Sequence, residues 1–193
     1  MDLTEGTTEE KNIRAKKMML WFGIGSLIMS FAGLTSAVIV SSKRPDWLNN
    51  FQLPDAFIIS TVIIILSSIS LILAKRALKT NNRKTTTVWL LVTLGLGIAF
   101  IYSQFIGFGQ IIQSGYNFTG PTSNVTMSFI YIIAIAHIAH VVAGLISLII
   151  VIYNHFKEKY NASQMLGFEL SATFWHFVDG LWLFLFLFLY FFG

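Results

Sequence analysis

The sequence predicts an all-α fold, in which residues 1–193 form one integral membrane bundle of five transmembrane helices. Hydrophobic residues make up 55% of the 193 residues and charged residues only 11%, against roughly a quarter charged in ordinary soluble domains. A helix needs about 20 mostly apolar residues to cross a bilayer, and five runs meet this requirement. The segments between them are too short to bury a core. The predicted helices are Lys17–Val40, Ala56–Ala74, Val88–Ile112, Met127–Tyr153 and Leu170–Phe192.

The positive charges predict the orientation of the bundle. Eleven of the thirteen Lys and Arg residues fall on one side of the predicted helices, and only Lys43 and Arg44 fall on the other. By the positive-inside rule the amino terminus is therefore cytoplasmic and the carboxyl terminus lies outside. The net charge of +4 then reflects topology and contact with anionic lipid, so we expect no nucleic-acid partner. The absence of cysteine excludes disulfides and thiolate metal sites.

The first two helices carry small and hydroxyl side chains. The mixed charges of Met1–Lys16 do not form a secretory signal, so the first helix is expected to remain in the protein. Its glycines, which include Gly23 and Gly33, allow neighbouring helices to approach closely. Pro54 favours the start of the second helix. The hydroxyls of this helix are expected to bond backbone carbonyls one turn earlier and to need no functional explanation. They belong to Ser60, Thr61, Ser67, Ser68 and Ser70.

The connectors and the aromatic carboxyl-terminal run define the last three predicted helices. Helix 3 lies between a basic connector and the uncharged residues 113–126, which contain the strong breaker Gly120-Pro121 before helix 4. Helix 5 ends in a run of aromatic and Leu residues that includes Trp182 and Tyr190. Such a stripe is expected to face lipid or another subunit.

A small set of ionisable side chains interrupts helices 4 and 5. An ionisable group in a membrane span costs at least about 2.5 kcal/mol on insertion scales and so indicates function or assembly. His137 and His140 share one face of helix 4, and His176 and Asp179 repeat that spacing on helix 5, with Glu169 close to the same face. We expect a buried contact between helices 4 and 5, with Asp179 paired to a histidine of helix 4 or to His176.

Three interpretations of this polar cluster remain open from the residues alone. Two histidines at this spacing can share a metal or haem ligand face, although only His176 could oppose the helix 4 pair. Histidine and carboxylate groups also form proton relays in membranes. The interpretation favoured here is a polar clamp that fixes helix pairing, with no metal and no catalytic residue.

The first three helices each contain a segment similar to a motif of one known family of membrane proteins. Helix 1 contains Trp21 followed by Ser26-Leu27-Ile28-Met29, similar to the family's W-x-x-x-x-S-E-x-M segment, with Leu27 in place of the family's glutamate. Helix 2 contains Leu53-Pro54-Asp55-Ala56-Phe57 and then Ser-Thr and Ser-Ser pairs, similar to L-P-x-x-F, S-T and S-S. Helix 3 resembles the family's glycine-containing span at Gly95 and Gly97.

Helices 4 and 5 carry the more specific part of this resemblance. Helix 4 contains Ser128-Phe129-Ile130-Tyr131 and then His137-Ile138-Ala139-His140-Val141, similar to S-F-x-Y and H-x-x-H-V. Helix 5 contains Glu169, and five residues later a segment similar to Y-W-H-F-V-D-x-x-W, with Phe174 in place of the tyrosine. The matching residues of this segment are Trp175, His176, Phe177, Val178, Asp179 and Trp182. Together the five segments resemble subunit III of the haem-copper terminal oxidases in its short five-helix bacterial form.

The resemblance implies a subunit without redox centres in a proton-pumping oxygen reductase, most simply a cytochrome c oxidase of the bacterial inner membrane. Haem and copper would reside in subunits I and II, and this chain would pack mainly against subunit I, bind phospholipid and support assembly and proton uptake. Other subunits and a respiratory supercomplex would be further partners. Leu27 puts any role of the family's glutamate in doubt. The alternatives are a subunit III of a quinol oxidase, a nitric oxide reductase accessory protein and a small transporter.

Overall fold

The computed structural model describes residues 7–45, 47–48, 54–116, 124–160 and 164–192, and these residues form an all-helical fold. All five helices are long and apolar enough to cross a membrane, as the sequence predicts. The predicted breaker at Gly120-Pro121 lies outside the described residues. The helices are α1 Thr8–Ser41, α2 Asp55–Lys79, α3 Arg83–Gln113, α4 Val125–Phe156 and α5 Leu166–Phe192.

The helices extend beyond the apolar runs that predict them. The largest difference is in α1, which begins at Thr8 instead of Lys17. Thr7 and Glu10 form a reciprocal capping box there, which satisfies amide donors at the start of a helix. Hydropathy detects only the part of a helix that lies in hydrocarbon, whereas a capped helix continues into water. Much of the predicted amino-terminal tail is therefore the first two turns of α1.

Four of the helices form a ring, and α1 packs on its outside. In the ring α2 contacts α3 and α5, and α4 contacts α3 and α5. The outer helix α1 packs against α4 and α5 and makes no contact with α2 among the described residues. The connector from α1 to α2 reaches the start of α4, where the backbone amide of Leu48 donates to Oγ1 of Thr126 over 3.1 Å. Helices adjacent in sequence are thus separated in space at this point.

A tryptophan of α5 fills a notch made by two glycines of the ring. Trp175 is 1% exposed, and its indole lies between Gly97 of α3 and Gly144 of α4. A methyl group on Gly97 would come within 2.8 Å of Cη2 of Trp175, and one on Gly144 within 3.0 Å of Cε3. Because only glycine leaves this space, the three helices approach one another around the indole.

Ion pairs and one tight turn join the helices at one end of the bundle. This is the end of α2, α3, α4 and α5 at which most of the Lys and Arg residues lie. Lys75 of α2 pairs with Glu169 of α5 at 3.2 Å, and Arg83 of α3 pairs with Glu158. Between α2 and α3, Asn81 has φ of 54°, a conformation that asparagine tolerates better than most residues. We call this the basic end of the bundle.

Candidate functional site

Polar residues of α5 lie against the Ser and Thr side chains of α2. The indole of Trp175 donates to Oγ of Ser67 over 2.9 Å, and the indole of Trp182 donates to Oγ1 of Thr61 over 3.1 Å. Between these two bonds, Asp179 and His176 share one hydroxyl, that of Ser68. We call this set of residues the α2–α5 seam. Its members are Thr61, Ser67, Ser68, Trp175, His176, Asp179 and Trp182.

The hydroxyls of α2 do more than bond their own backbone. Thr61 donates to the carbonyl of Phe57 over 2.8 Å, as expected from the sequence. A hydroxyl that donates in this way still has lone pairs, and Thr61 uses its oxygen to accept from Trp182. Ser70, similarly, lies 2.7 Å from Oγ1 of Thr93 on α3. These hydroxyls therefore also pair α2 with both of its neighbours, in addition to the expected bonds to backbone carbonyls.

The centre of the seam is a short line of three polar groups. Oγ of Ser68 donates to Oδ2 of Asp179 over 2.6 Å and lies 2.9 Å from Nδ1 of His176. The other oxygen of Asp179 is buried and has no hydrogen-bond partner among the described residues. Asp179 itself is 6% exposed. Because this carboxyl is shielded from water, the hydroxyl of Ser68 supplies the hydrogen bond that stabilises it.

This arrangement differs from the predicted pairing of Asp179 with a histidine of helix 4 or with His176. Asp179 bonds to α2, and the histidines of α4 have other surroundings. His137 is fully buried, with its ring 5.0 Å from that of Trp182 and 5.8 Å from that of Phe100. Nδ1 of His140 lies 2.6 Å from the carbonyl oxygen of Ala136 one turn earlier. The shared face of α5 was foreseen, but the helix that covers it is α2.

Glu169 lies apart from the buried residues. It sits in the first turn of α5 at the basic end, where its side chain is 41% exposed and pairs with Lys75. An acidic residue is favourable at a helix amino terminus, and an exposed ion pair contributes only about 0–1 kcal/mol. The sequence grouped Glu169 with the membrane cluster because it lies seven residues before His176, close to the same face of the helix.

His155 is a buried polar residue that the sequence analysis missed. It is 3% exposed, with Nε2 lying 3.0 Å from Oγ1 of Thr87 on α3. Arg83 donates to its backbone carbonyl over 3.1 Å, which satisfies an acceptor at the end of α4. The predicted span ended at Tyr153, so His155 counted as connector. A histidine two residues beyond an apolar run is the signal that could have found it.

The remaining residues of the resemblance have apolar surroundings. Leu27, which stands where the family motif has glutamate, is partly buried and packs against the core. Phe177 is also partly buried against the core and lines a cavity between α1 and α5. Among the described residues, no three His, Cys, Asp or Glu side chains are grouped so that they could hold a metal ion.

A double-mutant cycle tests the Ser68 bond directly. Asp179→Leu and Ser68→Ala are expected to show a coupling of about 1 kcal/mol in the free energy of unfolding, near the upper range of such cycles in membrane helices. The measurement is reversible unfolding in mixed detergent micelles, followed by circular dichroism. The matched cycle pairs Asp179→Leu with His140→Leu and is expected to show no coupling. A larger coupling to His140 than to Ser68 would contradict the observed pairing.

Comparison with known proteins gives the family of this chain. The family described as cytochrome c oxidase subunit III matches residues 24–193. Cytochrome bo(3) ubiquinol oxidase subunit 3 of Buchnera aphidicola subsp. Baizongia pistaciae is 29% identical over 191 residues, covering 95% of both chains. Cytochrome c oxidase subunit 3 of Spodoptera frugiperda is 32% identical over 148 residues, covering 75% of this chain and 92% of its own length.

A further relative is similar over almost its whole length. Cytochrome c oxidase subunit 3 of Alkalihalophilus pseudofirmus is 28% identical over 190 residues, covering 97% of this chain and 90% of that protein. The family match spans α2 to α5 and about half of α1, so it includes both sides of the α2–α5 seam. With five helices able to cross a membrane, this multi-pass membrane protein belongs to the cytochrome c oxidase subunit III family of the haem-copper terminal oxidases.

Proposed function

We propose that this chain is a subunit without redox centres in a cytochrome c oxidase, where it supports assembly, lipid binding and proton uptake by the catalytic subunit. The observation that carries the proposal is how the motif residues of α5 use their polar atoms. Both indole nitrogens and one oxygen of Asp179 bond to side chains of α2 within the same chain. This arrangement supports a role in helix pairing, and we propose that haem and copper lie in subunits I and II.

The surface of the bundle suits contact with partner subunits and lipid. Large apolar side chains are exposed along α1, among them Phe22 at 78% and Met29 at 77%. In a membrane these side chains are covered by acyl chains or by another protein. We propose subunit I as the main protein contact, with subunit II, other subunits of the complex and a supercomplex as further partners, and phospholipid over the remaining surface.

The proposed location is the inner membrane of a bacterium, with the amino terminus in the cytoplasm and the carboxyl terminus outside. The distribution of Lys and Arg supports this orientation, because most of them cluster at the basic end and in the first turns of α1. Fusing a reporter that is active only in the cytoplasm to either terminus tests the orientation. Activity at the carboxyl terminus would contradict it.

A quinol-oxidising complex is the second candidate, since one similar protein is a ubiquinol oxidase subunit. Within either complex, the line from His176 through Ser68 to Asp179 supports a proton-linked role, because each neighbouring pair in it is within hydrogen-bond distance. Leu27 stands where the family motif has glutamate, and it packs against the apolar core. We therefore propose no proton-linked role for this position.

Affinity purification in mild detergent tests the proposed function. The chain is expected to co-purify with subunits I and II and with the absorbance of a haem a or haem o protein. A dinuclear copper signal in subunit II would assign the complex as a cytochrome c oxidase, and its absence would favour the quinol alternative. Ion flux through the reconstituted chain alone, or a Soret band on it, would contradict a subunit that works only within a complex.

A further inference from the structure

A cavity of about 460 Å³ lies between α1 and α5. Its wall is mostly apolar and includes the aromatic rings of Phe31, Phe177 and Phe184. Two polar side chains also line it, Thr35 and His176. The hydroxyl of Thr35 donates to backbone carbonyls of its own helix, so its hydrogen is already used. The oxygen of Thr35 keeps acceptor capacity, but an imidazole nitrogen is the stronger acceptor, so His176 is the polar group of this wall best suited to select a ligand.

The seam fixes which hydrogen-bonding role His176 offers to the cavity. A serine hydroxyl has one hydrogen, and Ser68 gives it to Asp179. With the hydrogen of Ser68 assigned to Asp179, Nδ1 of His176, 2.9 Å from the same oxygen, is assigned as the donor of that contact. A neutral imidazole with its hydrogen on Nδ1 has an acceptor at Nε2. Nε2 has no hydrogen bond to any described residue.

The depth of His176 limits what could bind there. It lies six residues after Leu170, the first residue of the apolar run of α5, which corresponds to about 9 Å along the helix axis. This is inside a hydrocarbon layer about 30 Å thick. Phospholipid head groups stay at the polar interface, so the donor for Nε2 must come from a molecule that carries a hydroxyl into the hydrocarbon.

We propose that this cavity binds a membrane-soluble phenol, the class to which reduced isoprenoid quinones also belong. The phenolic hydroxyl donates to Nε2 of His176, and the ring packs among Phe31, Phe177 and Phe184. The volume of the cavity falls within the range of about 300–1,000 Å³ that small-molecule sites have. A hydrogen bond to an acceptor in hydrocarbon is favourable, because no water competes for the acceptor there. This site is independent of the proposed function.

A matched pair of probes tests the hydroxyl. The first is a 4-alkylphenol with a diazirine in its alkyl chain, and the second is its methyl ether, which lacks only the donor. Each is added at the same mole fraction to the purified protein in nanodiscs of phosphatidylethanolamine and phosphatidylglycerol. After illumination, mass spectrometry measures the labelling of peptides from α1 and α5. The phenol is expected to label them roughly fivefold more, the effect of one net hydrogen bond. Equal labelling by the ether would overturn the proposal and indicate a site for acyl chains.

Two variants locate the site. Gly180 lines the cavity, and a Cβ added to it would meet no atom within 4 Å, so Gly180→Leu is expected to fill the space and remove the labelling by both probes. Gly95→Leu adds the same side chain at an open position of α3 and is expected to change nothing. His176→Phe is expected to lower labelling by the phenol to that by the ether. Undiminished phenol labelling in Gly180→Leu would also overturn the proposal.

Discussion

Gly97→Leu is expected to prevent the bundle from packing. A Cβ at this position would lie 2.7 Å from Cδ2 of Leu145 and 2.8 Å from Cη2 of Trp175, closer than packed carbon atoms approach. Trp175 cannot move away easily, because its indole donates to Ser67 and its opposite edge touches Gly144. Overpacking an interior costs about 1–3 kcal/mol, and a whole leucine between three helices lies at the upper end of that range or beyond it.

The matched control is Gly95→Leu, one of the open positions of the same helix. Both variants gain the same helix propensity over glycine, so the difference between them reports packing alone. The measurement is the yield of monodisperse protein on size exclusion, followed by its thermal unfolding in detergent. We expect Gly95→Leu to behave like the parent protein and Gly97→Leu to give little folded material. Equal yield and stability for the two would contradict the tight contact around Trp175.

Trp182→Ala is expected to cost about 3 kcal/mol, the lower end of the range for a buried tryptophan. The residue is 0% exposed and its ring lies 5.3 Å from that of Phe100 and 5.9 Å from that of Phe57. The substitution opens a cavity where α2, α3 and α4 meet α5. It also removes the donor that Thr61 accepts. Unfolding in mixed micelles, followed by circular dichroism, measures the loss.

Two companion variants separate the contributions at this site. Trp182→Phe keeps an aromatic ring and loses the hydrogen bond, so it is expected to cost about 1 kcal/mol. Trp21→Ala removes a side chain that is 65% exposed and is expected to change stability by less than about 0.5 kcal/mol. If Trp182→Ala and Trp21→Ala proved equally harmless, Trp182 would not be the centre of the packed ring.

The sequence predicts the number of helices well because hydropathy alone decides it. Lipid requires about 20 apolar residues for each crossing, and three charged connectors and one uncharged polar connector interrupt those runs. The ends of the helices depend on local hydrogen bonds in water instead. The capping box at Thr7 and Glu10 is readable in the sequence, yet it lies well outside the apolar run, so a search for spans passes over it.

The partner of each polar face was harder to predict. Spacing shows that His176 and Asp179 share a face of α5, but it contains no information about which helix covers that face. Ser68 was discounted because hydroxyls in membrane helices commonly bond their own backbone. The aromatic end of α5 shows the same limit. Trp182 is buried whereas Tyr190 is 61% exposed, and both belong to one uninterrupted aromatic stripe.

The separation of α1 from α2 has a consequence for biosynthesis. The described part of α1 contacts only α4 and α5, which are the last two helices to leave the ribosome, since translation proceeds from the amino terminus. The first hairpin therefore cannot close when α2 emerges, and α1 stays beside the insertion machinery or in lipid until the carboxyl-terminal pair arrives. Nascent chains arrested after α3 would carry an α1 without an intramolecular partner, and insertion factors that shield such helices would be most needed during that interval.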